Sequence, residues 1–149
     1  MNAALEKLSQ TINGTVQLDP LSKALYATDA SVYRELPYAV AIPKTTEDIK
    51  CLIEFAHSNA LSIIPRAAGT SLAGQCVGDG IVVDVSKYMN AILEINTQEQ
   101  WVRVQPGVVR DELNVFLKPY GFFFGPNTST ANRCTVGGMV GNNSCGSTS

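Results

Sequence analysis

The tightest constraint on the fold is a pair of short apolar runs, Tyr38-Ala-Val-Ala-Ile-Pro43 and Leu61-Ser-Ile-Ile-Pro65, on either side of one amphipathic stretch. Apolar runs of this length that stop at proline read as strands. Between them, Thr45 or Thr46 can cap a helix, and Glu47 and Asp48 suit its electropositive first turn. Ile49, Leu52, Ile53 and Ala56 recur at helical spacing and predict its buried face. Residues 38–65 therefore predict a strand–helix–strand unit of the size of a parallel crossover.

Directly after the second strand the chain is almost devoid of bulk: Arg66-Ala-Ala-Gly-Thr-Ser-Leu-Ala-Gly74. Small side chains let a ligand reach the main chain. Gly69 and Gly74 have the spacing of a phosphate-binding P-loop, but Gln75 stands where that motif needs lysine and Cys76 where it needs Ser or Thr. Val77-Gly-Asp-Gly80 then reads as a turn, not as the helix a P-loop feeds. The residues argue against a nucleoside-triphosphate site of that type.

The rest of the chain supplies a second pattern. Leu5, Leu8 and Ile12 predict a helix over 3–12, followed by a loop-rich connector with a helical turn over 20–27, so residues 1–34 form a helical and connector segment. From Gly80 the period changes. Gly80-Ile-Val-Val-Asp-Val-Ser86 is a buried strand. Ala91-Ile-Leu-Glu-Ile95 and Trp101-Val-Arg-Val-Gln105 alternate as a hairpin, with Trp101 as a packing residue. Asp111–Lys118 is a short helix with Leu113, Phe116 and Leu117 on one side, and Phe122-Phe123-Phe124 reads as core. The remainder, rich in Gly, Asn, Ser and Thr, reads as a loop over 125–148. Four glycines between 137 and 146 weaken any helix over 136–142. A chain that stops at Asn142-Asn-Ser-Cys-Gly-Ser-Thr-Ser149 without a closing element is expected to be a piece of a larger protein.

Composition narrows the classes. The chain has 149 residues, 45% of them hydrophobic, which is enough for one domain with a core. A net charge of −2 argues against a nucleic-acid partner. No apolar run approaches the roughly 18 residues of a membrane span, and the N-terminus lacks the hydrophobic block of a signal peptide. The four cysteines show no CxxC spacing and His57 is the sole histidine, so reduced cytoplasmic thiols are expected rather than disulfides or a metal site. His57, near a helix end, reads as a surface or capping residue.

The loops 66–74 and 125–148, with Gln105-Pro106-Gly107 as a third candidate, carry the functional expectation. One glycine loop is ordinary surface. Several at the ends of predicted elements suggest main-chain N–H groups converging on phosphate oxygens, an arrangement that needs no lysine.

In order along the chain, Ile64-Pro-Arg-Ala-Ala-Gly-Thr-Ser-Leu-Ala-Gly-Gln75, the stretch from Gly80 to Asn96, Trp101–Val108 and Phe122-Phe-Phe-Gly-Pro-Asn through Cys145-Gly146 resemble FAD-linked oxidases of the vanillyl-alcohol-oxidase (PCMH-type FAD-binding) fold. The resemblance is to the branch of D-lactate dehydrogenase and glycolate oxidase and covers about 25–149, including Leu25-Tyr-Ala-Thr-Asp-Ala-Ser-Val-Tyr-Arg-Glu-Leu-Pro37. It implies an α+β fold with a small parallel βαβ lobe and a second, mainly antiparallel lobe, with residues 35–149 as the N-terminal part of the FAD-binding domain. It implies that Arg66, Ala67, Ala68, Gly69, Thr70 and Ser71 wrap the FAD pyrophosphate. Pro126, Thr128, Thr135, Gly137, Gly138, Gly141, Asn142, Ser144 and Gly146 match the second cofactor loop, and 105–107 a structural turn near the cofactor.

Where some relatives tether flavin through histidine this chain has Thr70, so the FAD is expected to be non-covalent; Cys134, near a linking position of distant relatives, reads as a small buried thiol. Ala67-Ala68 replaces a frequent Gly-Gly and requires negative φ there.

The implied parent is a flavoprotein that oxidises a small 2-hydroxy acid such as D-lactate or glycolate, passing electrons to an acceptor. Its catalytic residues, and any iron–sulfur cluster, would lie C-terminal to this chain. The implied location is cytoplasmic, with any membrane association through partners. The rival expectation is a non-catalytic nucleotide-binding or interaction module that uses the glycine loops as scaffold.

Overall fold

The computed structural model describes residues 2–146 and divides into two compact units, with the boundary between Val85 and Ser86. The first contains α1 (Asn2–Thr11), β1 (Thr15–Gln17), α2 (Pro20–Leu25), β2 (Ala39–Ile42), α3 (Thr46–Ser58), β3 (Ile63–Arg66) and β4 (Ile81–Asp84). Residues 1–34 thus supply α1, β1 and α2 of this unit. Its sheet has the order β1-β2-β4-β3, antiparallel at β1 and parallel elsewhere.

The crossover from β2 through α3 to β3 is present, but β4 sits between the two strands, pairing Ile81 with both Ala39 and Ile63. The sequence places that strand after the change of period; the structure makes it the centre of the parallel sheet. All four of its residues are buried, as expected of a parallel strand covered on both faces. β1 falls within the predicted connector because three residues are too short to show a period of two.

Leu5, Leu8 and Ile12 of α1 and Leu52 and Ala56 of α3 pack with Ala39, Ala41, Ile81 and Val83 in the first core. Thr45 is the N-cap of α3, its Oγ1 accepting from Asp48 N at 3.1 Å. The Asp48 carboxylate accepts in return from Thr45 N and also from Lys44 N (2.8 Å) and Asn13 N (2.8 Å), tying α3 to the chain leaving α1. Burial would raise the Asp48 pKa, but these donors outweigh it and hold it below the usual range. This inward anchor turns the helix. Asp48, Leu52 and Ala56 are buried with Cys51 and Phe55 beside them, whereas Ile53, expected on the buried face, is 52% exposed.

The second unit opens with β5 (Ile92–Asn96) and β6 (Trp101–Val104), an antiparallel hairpin, followed by α4 (Arg110–Leu117), a 3₁₀ turn (Lys118–Tyr120) and α5 (Val136–Gly141). Ile92, Ile95, Val102 and Val104 pack on Val108, Leu113 and Leu117 with Phe116, Phe122 and Phe124. Alternation puts Trp101 on the other face, so it is not a packing residue: its Nε1 donates to Glu99 Oε2 and Arg103 lies over its ring. Phe123 likewise departs from the expected core and is 77% exposed. The helix α5 forms despite its glycines, because Thr135 caps it and Met139 is buried beneath it.

Candidate functional site

The 66–77 loop leaves β3 at the residue paired with Asp84. Arg66 does not point at the open end of the loop. Its Nη1 donates to Thr28 O (2.7 Å) and Tyr26 O (3.4 Å), and its guanidinium lies 5.2 Å from the centroid of the Tyr26 ring. The Tyr26 hydroxyl donates to Asp84 Oδ2 at 2.6 Å. Burial first, then the hydrogen bond and charge of Asp84, push the Tyr26 phenol up to about 12 against the opposing pull of Arg66. Burial also pushes the Cys76 thiol up, against Arg66, which is the behaviour of an inert thiol and not a nucleophile.

Beyond Arg66 the backbone turns at Gly69 (φ +66°) and again at Gly74 (φ +71°), conformations that glycine adopts without strain. Ala67 and Ala68 keep negative φ, so the loop accommodates both alanines. Ser71 closes the far half of the loop: its Oγ accepts from Ala73 N (3.2 Å) and Gln75 N (3.3 Å) and donates to Gln75 Oε1 (2.9 Å). Val77 N then bonds to Gly74 O. Among the described residues, no protein acceptor takes the main-chain N–H groups of Ala67, Ala68, Gly69, Thr70 or Ser71. A run of amides with no protein acceptor, on small and partly exposed residues, leaves main-chain N–H groups free to converge on the oxygens of an anion.

The second loop is built differently. The sequence predicts it to 148; the structure follows it to Gly146, residues 147–149 lying outside the described set. Pro126 O accepts from Arg110 Nε, and Thr128 Oγ1 lies 3.0 Å from Cys134 Sγ. Cys134 is 7% exposed and Thr135 3%. Gly137 N donates to Pro106 O, Gly138 N to Thr135 Oγ1, Asn142 N to Gly138 O and Ser144 N to Met139 O. Asn142 Nδ2 donates to Ser144 Oγ (2.9 Å), and Gly146 bridges to Asn127. The turn 105–107 is structural: Gln105 Oε1 accepts from Ala91 N and Gly107 N donates to Met89 O. Gly137 lies against it, since a Cβ there would fall 2.6 Å from Pro106 Cβ. Gly141, by contrast, faces open space. An open cavity of about 250 Å³ is lined by Phe124, Met139, Val140, Asn143 and Ser144.

The small-residue pattern located both loops, but Tyr26, Thr28 and Asp84, which hold the base of the first, carried no signal beyond their place in the motif-bearing segments. Among the described residues no group of three His, Cys, Asp or Glu could hold a metal ion, and no helix is long and apolar enough to cross a membrane.

An FAD binding domain family matches residues 37–149. The D-2-hydroxyglutarate dehydrogenase of Haemophilus influenzae is 45% identical over 92% of this chain, which spans 14% of that protein's length. The D-lactate dehydrogenase [cytochrome] of Kluyveromyces lactis is 35% identical over 72% of the chain and the glycolate oxidase subunit GlcD of Bacillus subtilis 33% over 83%, spanning 19% and 27% of those proteins. Among solved structures, alkyldihydroxyacetonephosphate synthase superposes with a TM-score of 0.78 at 22% identity, over 88% of this chain and 29% of that one. p-Cresol methylhydroxylase does so at 0.75 and 18%, over 95% and 28%. At these identities the structural neighbours speak for the fold alone.

Proposed function

This chain belongs to the FAD binding domain family, and on that premise we propose that it is the FAD-binding portion of a flavoprotein that oxidises a 2-hydroxy acid, with residues 35–149 as the N-terminal part of its FAD-binding domain. The observation that carries the reading is the run of unengaged amides from Ala67 to Ser71, on residues small enough for a pyrophosphate to touch the backbone. Main-chain dipoles supply the positive potential here, because Arg66 is already committed to the carbonyls of residues 26 and 28. Pro126, Thr128, Gly141, Asn142 and Ser144 form the second contact set, with Thr135, Gly137, Gly138 and Gly146 shaping it.

Bound flavin would supply the hydride acceptor for oxidation of the substrate α-carbon. This chain's residues bind and orient that cofactor; none is assigned as the base that takes the substrate hydroxyl proton. The cofactor is held without a covalent bond, since Thr70 offers no linking imidazole and Cys134 is buried against Thr128.

Within the 2-hydroxy acids, 2-hydroxyglutarate is the preferred candidate. Four dehydrogenases named for it match this chain at 40–45% identity over most of its length and another at 29%, against 30–35% for proteins named for lactate or glycolate. The test is to purify the full-length protein that carries this chain, precipitate it with acid, and assay D-2-hydroxyglutarate, D-lactate and glycolate with an artificial electron acceptor. A flavin spectrum, all flavin released to the supernatant, and a kcat/KM at least about tenfold higher for D-2-hydroxyglutarate, about 1.4 kcal/mol of differential transition-state binding, are expected. A colourless protein would defeat the flavin reading, fluorescence left on the precipitate the non-covalent one, and preference for lactate or glycolate the substrate.

A further inference from the structure

The family match begins at residue 37, yet much of what holds the 66–77 loop comes from earlier in the chain. We propose that residues 26–35 form a strap that braces both left-handed glycines of the loop, and that Tyr33 is a positioning residue for the cofactor cradle; the cradle's ligand rests on the flavin reading above, the bracing does not.

The strap has its own closed shape. Glu35 N donates to Ala27 O and Thr28 bridges Arg34 in antiparallel fashion, making a stem. In the turn, Asp29 Oδ1 accepts from Ser31 N (2.8 Å) and Ser31 Oγ from Tyr33 N (3.1 Å). The stem is moored to the sheet by the Tyr26 hydroxyl on Asp84.

Each glycine of the loop meets a different part of this strap. At the first, Ala30 N donates to Gly69 O at 3.1 Å. The Arg66 guanidinium, held by Thr28 O, fills the space beside the Gly69 Cα, where a Cβ would fall 2.7 Å from Nη2. At the second, the Tyr33 ring lies on the Gly74 main chain, and a Cβ there would fall 2.7 Å from Cδ2 and 3.2 Å from Cγ.

Tyr33 is 58% exposed and belongs to neither hydrophobic core. An aromatic ring left largely in water adds little to the stability of the fold. Its contact with a left-handed glycine acts on the loop. Glycine loses more conformational freedom on ordering than any other residue, so a loop hinged at Gly69 and Gly74 would have to be ordered when the ligand arrives. The strap shifts that ordering to folding, before binding, and leaves the Ala67–Ser71 amides already aligned.

The experiment compares wild type, Tyr33→Ala and Tyr33→Phe in the full-length protein, by hydrogen exchange on flavin-stripped samples and by FAD titration. In Tyr33→Ala, the bonded amides of Ala73, Gln75 and Val77 should exchange at least about tenfold faster while those of β4 keep their protection, as local opening requires. FAD affinity should fall by a similar factor, and Tyr33→Phe should restore both, since the ring and not the hydroxyl makes the contact. Unchanged exchange or unchanged affinity in Tyr33→Ala would overturn the proposal. So would loss of protection throughout β4, which would make Tyr33 a residue of the fold. If the wild type binds no FAD, the flavin reading fails by itself and the exchange measurement still decides whether the strap braces the loop.

Discussion

The two glycine-rich loops look alike on paper and do opposite things with their backbone. From Ala67 to Ser71 the N–H groups are unengaged, and the glycines at 69 and 74 turn the chain so that they stay so. From Thr135 to Ser144 the glycines sit in and around a short capped helix whose N–H groups are consumed by Pro106 O, Thr135 Oγ1, Gly138 O and Met139 O. Small residues therefore serve access in one loop and close packing in the other. Composition alone does not distinguish a cradle from a tight corner; the fate of the amides does.

The largest effect that would test this contrast is at Gly69. Gly69→Val forces a β-branched residue to φ +66°, at about 1–2 kcal/mol of backbone strain, and drives Cβ into the Arg66 guanidinium. The full-length variant should fold and lose FAD by a factor of about 100, the scale of a few kcal/mol. Purification with stoichiometric flavin would move the cradle elsewhere.

Gly137→Ala should behave in the reverse way. Its Cβ would press on Pro106, so thermal or urea unfolding should show a loss of about 1–3 kcal/mol, the usual penalty of overpacking. Flavin affinity, compared at a temperature where the variant is folded, should change less than in Gly69→Val. A stable variant that has lost flavin would make this glycine a ligand contact and erase the contrast.

A smaller effect is expected from pH. The Tyr26 phenol at the base of the first loop titrates near 12 in the fold against an ordinary 10. The neutral phenol is the form the fold favours, so its contribution is complete below pH 10 and is lost as pH rises toward 12. Partial exposure and solvent screening reduce this to about 1 kcal/mol. Hydrogen exchange at the bonded amides of Ala73, Gln75 and Val77 should accelerate across that window more than exchange of 135–144, and Tyr26→Phe should flatten the step. An identical pH response in Tyr26→Phe would show that the Asp84 contact does not hold the loop.

The smallest effect is at Gly141, the one helical glycine of α5 with open space around it. Gly141→Ala should stabilise the protein by about 0.5–1 kcal/mol, as alanine does in a helix. If the open space receives the cofactor, flavin affinity falls while stability rises. Should both rise together, Gly141 has no part in binding.

Much of the fold was legible because local periodicity carries it. The elements of the strand–helix–strand unit, the 92–104 hairpin and α4 each show their own short-range pattern, and each is present. β1 is too short to show one, and the glycines of α5 mask its helix. On α3, Ile53 fits the spacing of the buried face and lies outside it, because Asp48 is held inward by the amide of Asn13 and by those of the residues that lead into the helix. Trp101 and Phe123 are large and apolar, yet alternation and the preceding turn place them outward.

By itself, the sequence determined the class of each local element, the position of both small-residue loops and the family to which the chain belongs, because those depend on the spacing and identity of near neighbours. Only the tertiary structure decided that β4 enters between β2 and β3, that Arg66 turns back to Thr28 and Tyr26, and that one loop keeps its amides unengaged while the other spends them. The first two outcomes, and the Gly137 N–Pro106 O bond of the second loop, join residues tens of positions apart. Each depends on which donor reaches which acceptor once the sheet has assembled, and no local period encodes it.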